Sequence, residues 1–276
     1  IKEASDMSGI DIGVVNVGIA GQHIRSSIHH GSITRGSNDD EVSIEDVNRL
    51  TEDMYRIVIP PGSEIIHVMP QDYTVDYEEG IKDPVGMSGV KLEADFHIIT
   101  AQTSAINNIN KCVRRGGLEI EDLILEPLAS SLAVLSEEEK EAGVCLIDIG
   151  GGTTDIAVFH DSIIRHTAVI PFGGNILTTD IQHGLMVMAK QAEQLKTRFG
   201  KAIAEEASPN EIVSIPGIRN RTAKEISVKN LSNIIQARME EIIEMAHAEI
   251  IGCGYENRLA GGIVITGGGS QLSCLK

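Results

Sequence analysis

The run Asp148-Ile-Gly-Gly-Gly-Thr-Thr-Asp155 places three glycines, two hydroxyls and two carboxylates within a few residues of one another. Glycines let the backbone come close to an anion. The N–H groups of Gly150, Gly151 and Gly152, with the Thr153 and Thr154 hydroxyls, can therefore cradle phosphates. Asp148 and Asp155 would repel bare phosphate, so a cation such as Mg²⁺ between them is the natural reading. The bland alternative is a plain glycine hairpin. Two further glycine turns follow. Gly173 and Gly174 stand ahead of a helix expected to start near Thr178 to Asp180, which makes a second anion site. Ile263-Val-Ile-Thr-Gly-Gly-Gly-Ser270 is a buried-type strand running into Gly267, Gly268 and Gly269, with Ser270 placed to cap a helix. A planar base could slide against such bare backbone. Between these turns, Glu193 and Lys196 stand three apart on one helical face, suited to ribose hydroxyls or, more plainly, to a surface ion pair.

The flanking elements decide what kind of phosphate loop the first turn is. A Walker P-loop or a Rossmann fingerprint leads from its glycines into a helix. Here Ile156, Ala157, Val158 and Phe159 follow instead. The order is strand (144–150), glycine turn, strand, tight turn at Asp161-Ser162, strand. The rest of the chain alternates strand and helix signals. Residues 14–20 read as a strand, and Ser43-Ile-Glu-Asp46 as a capping box for a helix carrying Ile44, Val47, Leu50 and Met54. Residues 64–69 and 72–77 read as two strands, followed by a turn-rich stretch and a strand at 91–100. Thr103 is expected to cap a helix that stops at Gly116-Gly117, and Pro127 suits the first turn of another. Leu231, Ile234, Ile235, Met239, Ile242, Ile243, Ala246 and Ile250 give one broad apolar face to a helix over 231–251.

Composition narrows the functions. With 23 basic and 40 acidic residues the net charge is −17, which argues against a nucleic-acid partner, since phosphate contacts need a basic surface. Cys112, Cys145, Cys253 and Cys274 form no C-x-x-C pair, and Cys112 and Cys145 sit in apolar stretches as small hydrophobes. No run approaches the ~20 apolar residues that span a bilayer, nor is there a signal-type start, so a reduced cytosolic setting is expected. The chain opens inside a helix and stops just after a glycine turn. It therefore reads as a piece of a longer protein.

These motifs resemble a known family. DIGGGTTDIAVF (148–159) is similar to the second phosphate motif of the actin, sugar kinase and heat-shock chaperone ATPase superfamily, and IVITGGGS (263–270) to its adenosine motif. VGIAGQHI (17–24), HVMPQDYTVD (67–76), GIKDPVGMSGVKLEADFHIIT (80–100) and the AEQLK helix (192–196) resemble more narrowly the FtsA family of actin-like bacterial cell-division proteins.

The resemblance implies an α/β actin-like ATPase (ribonuclease H-like) fold of two lobes with an FtsA-type small α+β subdomain. Residues 1–98 would be that subdomain with its lead-in helix, and 99–145 part of the first actin-like subdomain. Residues 146–198 and 256–276 would form the second, with a smaller subdomain inserted at 199–255. The cofactors implied are ATP and Mg²⁺, the metal held by Asp148 through water, with slow ATPase activity at best. Glu126 occupies the place of the residue that holds the attacking water; it is equally an ordinary acid at a helix N-terminus. The implied partners are the C-terminal tail of FtsZ, other division proteins and further copies in a filament. Membrane contact would come only through a segment outside this chain, which also lacks the first phosphate loop. The place implied is the inner face of the cell membrane at the division site. An actin-like pilus-assembly protein and, further off, a kinase of the same superfamily are the alternatives.

Overall fold

A computed structural model of the chain describes residues 1–36, 41–216 and 222–276. Helix α1 (Lys2–Ser8) and strand β1 (Val14–Ile19) lead into β2 (Ile24–Thr34), α2 (Ile44–Met54), β3 (Ser63–Val75), β4 (Glu78–Ile81) and β5 (Lys91–Gln102). The sheet order is β2-β5-β3-β4, all antiparallel. Leu50 and Met54 of α2 bury against Ile33, Leu92, Phe96 and Ile98, so this small unit has a core of its own. The capping box forms as expected. The Ser43 side chain accepts the Asp46 N–H at 3.2 Å, and the Asp46 carboxylate accepts the Ser43 N–H at 2.9 Å.

Two readings change in this unit. Residues 64–69 and 72–75 are not two strands but one, β3, and Asp76 and Tyr77, expected in the second strand, form the turn into β4. The pairing of β3 with β5 slips between Pro70 and Tyr73, so Pro70, which has no N–H to give, sits at an irregularity instead of ending the strand. β2 was invisible to the sequence pattern because IRSSIHHGSIT has no clear alternation; pairing with β5 along all 11 of its residues holds it in place.

The chain continues through α3 (Thr103–Arg115), β6 (Glu119–Leu125), α4 (Glu126–Val134) and α5 (Glu137–Ala142). β6 lies parallel to β1. Gln102, not Thr103, is the N-cap of α3, because the Thr103 N–H donates to Gly62 O at 2.8 Å and the residue is already helical. Cys112, on α3, is exposed and not the buried hydrophobe expected, whereas Cys145 is buried.

The next stretch comprises β7 (Val144–Ile149), β8 (Thr154–His160), β9 (Ile163–Ile170), α6 (Gly174–Leu185), α7 (Ala189–Phe199), β10 (Ile212–Ile215), β11 (Lys224–Ser227), α8 (Val228–Gly252) and β12 (Ile263–Thr266). Its sheet runs β12-β7-β8-β9, with β12 parallel to β7 and the others antiparallel. The tight turn falls at Asp161 (φ 58°) and Ser162 (φ 64°), the positive φ pair that a two-residue hairpin needs. Leu231, Ile235, Met239, Ile242, Ala246 and Ile250 of α8 bury against Leu177 and Ile181 of α6 and against the sheet. Ile243 is 48% exposed, so the apolar face is narrower than expected. α6 begins at Gly174, four residues ahead of Thr178. After β12 the glycines form a 3₁₀ turn, Gly268–Gln271, and not the start of an α-helix.

The small sheet seats on β9. Arg165 grips Asp72 with two nitrogens (2.5 and 3.3 Å), and Gln71 Nε2 donates to Ile164 O at 2.9 Å. Among the described residues no helix is long and apolar enough to cross a membrane.

Candidate functional site

The first glycine turn joins β7 to β8. The Gly150 N–H donates to Thr153 O at 2.9 Å and closes it. Gly151 and Gly152 are exposed, and their N–H groups have no partner among the described residues, so they remain available to an anion. The threonines behave differently from the expectation. Thr154 is fully buried and donates to Phe172 O (2.8 Å), and Thr153 donates to Asp155 Oδ2 (2.8 Å). Both hydroxyl protons are committed inside the protein, because β8 turns inward at once.

The second turn is not a separate anion site either. The N–H groups at the start of α6 point at the first turn: Gly174 donates to Gly150 O (2.8 Å) and Asn175 to Gly151 O (2.7 Å). A Cβ on Gly173 would lie 2.7–2.9 Å from the carbonyl oxygens of Gly150, Thr153 and Gly151. The pair thus braces the loop from behind, using the donors that would have met a ligand.

The third turn packs against the same strand end. A Cβ on Gly267 (φ 82°) would stand 2.4 Å from Asp148 Oδ1, and one on Gly269 would stand 2.3 Å from Ile149 Cγ2, whereas Gly268 faces open space. Ser270 is buried and donates to Gly267 O at 2.8 Å. It locks the turn and neither caps an α-helix nor reaches the cavity, contrary to expectation.

Between these turns lies a cavity of about 410 Å³, lined by Gly150, Gly151, Gly174, Glu193, Lys196, Gly268 and Gly269. Ile149, Leu177, Met239 and Leu272 give it apolar wall, and Asn175, Arg198 and Gln271 add polar groups. Glu193 and Lys196 pair at 2.8 Å. Lys196 Nζ also donates to Gly174 O and Thr178 Oγ1 (both 2.8 Å), and Thr178 Oγ1 donates to Glu193 (2.5 Å). Burial pulls the Glu193 pKa up, but the bonds from Lys196 and Thr178 outweigh it and hold the carboxyl below its ordinary value. The pair is thus fixed at the cavity wall by α6 and is not a loose surface contact.

Three carboxyls gather at the foot of the first turn. Asp155 is only 4% exposed, and burial, with smaller pushes from Glu126 and Asp148, raises its pKa to about 6 despite the Thr153 bond. Glu126, at the start of α4, is raised by burial and by Asp148. Asp148 Oδ2 accepts from Ser130 Oγ at 2.7 Å, which orients it from α4. Contrary to the expectation of a cation between them, Asp155 is too enclosed to share one with Asp148. No group of three or more His, Cys, Asp or Glu side chains among the described residues is arranged to hold a metal directly. Asp148 and Glu126 raise no objection to a water-shelled cation, since such a charge offsets both the burial and the Asp148 repulsion that raise the Glu126 pKa.

Ser130, Asn175 and Thr178 were missed by sequence reasoning. Each acts on a group distant in the chain, and only Asn175, next to a glycine pair, carried any local hint.

Comparison with known proteins identifies the family. Residues 21–100 match the SHS2 domain inserted in FtsA, and residues 145–276 match the cell division protein FtsA. The chain is 44% identical over 272 residues to cell division protein FtsA of Pseudomonas aeruginosa, covering 99% of this chain and 65% of that protein. It is 37% identical over 282 residues to that of Escherichia coli K12, covering 100% of this chain and 67% of that protein. The chain belongs to the FtsA family. It spans about two thirds of the length of these relatives. Among solved structures, the PilM–PilN type IV pilus biogenesis complex matches 98% of this chain and 67% of that one with a TM-score of 0.62 at 13% identity, a likeness of fold alone. MreB5 of Spiroplasma citri bound to AMPPNP matches 62% of this chain and 54% of that one, with a TM-score of 0.50 at 25% identity. The FtsA-family chain thus has the two-lobed actin-like fold.

Proposed function

We propose that this FtsA-family chain carries the nucleotide seat of an ATP-binding, polymerising protein that links the FtsZ ring to the cytoplasmic membrane. The observation that carries the reading is the 410 Å³ cavity where two glycine turns meet the Glu193–Lys196 pair. Phosphate oxygens would approach the free amides of Gly151 and Gly152. Glu193 and Lys196 would meet the ribose, and the base would lie along Gly268 and Gly269 against Met239 and Leu272. The AMPPNP in the MreB5 structure supports a nucleotide in a related fold. Mg²⁺, held by Asp148 through water, would supply the charge that phosphates need there, and Glu126 would position the attacking water. Hydrolysis is slow at best in this reading, with nucleotide acting as a ligand that biases one lobe arrangement.

The division of the chain into 1–98, 99–145, 146–198 with 256–276, and 199–255 belongs to the same proposal. The unit at 1–98 would make the filament contact and the unit at 199–255 would receive the FtsZ tail. Calorimetric titration of the chain with Mg²⁺–ATP tests the core of the proposal. Binding of about millimolar strength is expected, and Gly151→Val should weaken it by ~10-fold or more. The new Cβ would lie 3.6 Å from the Asn175 side chain, an ordinary contact, so the fold should accept it. An unchanged affinity in that variant would remove the phosphate assignment.

A further inference from the structure

A second cavity, of about 820 Å³, opens where the start of β2 and the end of β5 face β9 and the last turns of α8. It shares no lining residue with the glycine-lined cavity. Its long side chains are mostly donors: Gln22, His23, Arg25, Gln102 and His166, against one carboxylate, Glu249. That carboxylate is already engaged, with His166 Nε2 at 3.1 Å. The exposed Arg25 guanidinium has no ion-pair or hydrogen-bond partner among the described residues, in a chain whose net charge is −17.

Two imidazoles lie at or behind its wall. His23 Nε2 is shut off from solvent and has no hydrogen-bond partner, nor has Nδ1 of the buried His97. His97 stands behind the wall, its Nε2 3.1 Å from Thr167 Oγ1. Both orphan nitrogens are closed to the cavity, so the donors that face it are the Arg25 guanidinium and the Gln22 and Gln102 amides. Ser26 Oγ donates to Thr167 O at 3.3 Å and ties β2 to β9 at this wall, so the site is shaped by both units.

We propose that this cavity binds a small organic anion, a carboxylate or phosphate that also carries hydroxyl groups, held by Arg25 with the Gln22 and Gln102 amides. The planar guanidinium fork matches either anionic group. The Gln22 and Gln102 amides both donate and accept, which suits hydroxyls. A bound metal is disfavoured, because no ligand set for one exists among the described residues. Since the walls belong to the small sheet on one side and to β9 and α8 on the other, an occupant ties the two units together by mass action.

The test is isothermal titration of the 276-residue chain with citrate and with inorganic phosphate, glycerol serving as the uncharged control. Wild type, Arg25→Ala and Gly151→Val are compared, with histidine ring signals followed by NMR. Expected are a dissociation constant of roughly 0.1–1 mM for one anion or both and a loss of ~10-fold or more in Arg25→Ala. Affinity should be unchanged in Gly151→Val, and the His23 and His166 signals should move in step with the heat. Citrate tighter than phosphate assigns a carboxylate ligand, and the reverse assigns a phosphorylated one. Arg25 is exposed, so its alanine variant should keep the wild-type melting profile. The proposal is overturned if neither anion binds up to ~10 mM, if glycerol binds as well, or if a folded Arg25→Ala variant keeps full affinity. Loss of binding in Gly151→Val would also overturn it, by placing the anion at the glycine turn.

Discussion

The glycine turns at 150–152 and 267–269 look alike in sequence and are bare for opposite reasons. In the first, Gly151 and Gly152 face open space or an ordinary contact, and their amides are unspent. In the second, Gly267 and Gly269 press on Asp148 and Ile149 so closely that any Cβ would collide, and only Gly268 is open. One turn lacks side chains and leaves its amides open. The other lacks them mainly to let β12 lie beside β7. A run of glycines therefore says that backbone comes close to something, but not to what.

Replacing glycines should separate the two reasons. The largest effect is expected at a packing glycine: Gly269→Ala puts a methyl group 2.3 Å from Ile149 Cγ2 and 2.8 Å from Ile149 Cβ. It should cost about 3 kcal/mol in urea unfolding, whereas Gly152→Ala, with nothing within 4 Å, should stay within ~0.5 kcal/mol. Equal losses in the two variants would erase the distinction.

A smaller effect comes from the carboxyl beneath the first turn. The folded pKa of Asp155 is raised to about 6 from 3.8. Its protonated form stabilises the fold fully below 3.8, and that contribution is lost as pH rises through 6. Asp155→Asn has no such titration. The variant should therefore gain on wild type by about 1–3 kcal/mol between pH 4 and pH 8, read as the difference in thermal midpoint. A constant difference across that range would mean that Asp155 is not held protonated.

The smallest effect concerns support of the cavity wall. Thr178→Val removes the hydroxyl shared by Glu193 and Lys196. It should weaken ATP by about 0.5–1.5 kcal/mol, or a few-fold, with the fold intact. No change would show that the Glu193–Lys196 pair holds its place without α6.

Much of the site was legible because its signals are local. Asp148 to Asp155, the β-hairpin that follows, and the three-residue spacing of Glu193 and Lys196 all lie within single elements, where period and turn chemistry speak directly. The strands β2 and β6 were not legible, since each is held by a partner strand far away in the chain. The merging of 64–75 into β3 had the same cause: the continuous partner β5 carries the ladder across Pro70.

The sequence by itself determined the glycine turns, their order and the strand–turn–strand setting of the first, and through the segments 17–24, 67–76, 80–100 and 192–196 the resemblance to the FtsA family. Those properties depend on residue type and short spacing, which folding does not alter. Tertiary structure alone decided which donors are left for a ligand. Thr153, Thr154, Gly174 and Asn175 all have groups able to meet phosphate, and all are spent on Asp155, Phe172, Gly150 and Gly151 instead. A hydrogen-bond donor goes to whichever acceptor the packed chain brings within reach. For these four that acceptor lies on the protein itself, while at Gly151 and Gly152 the packed chain brings none.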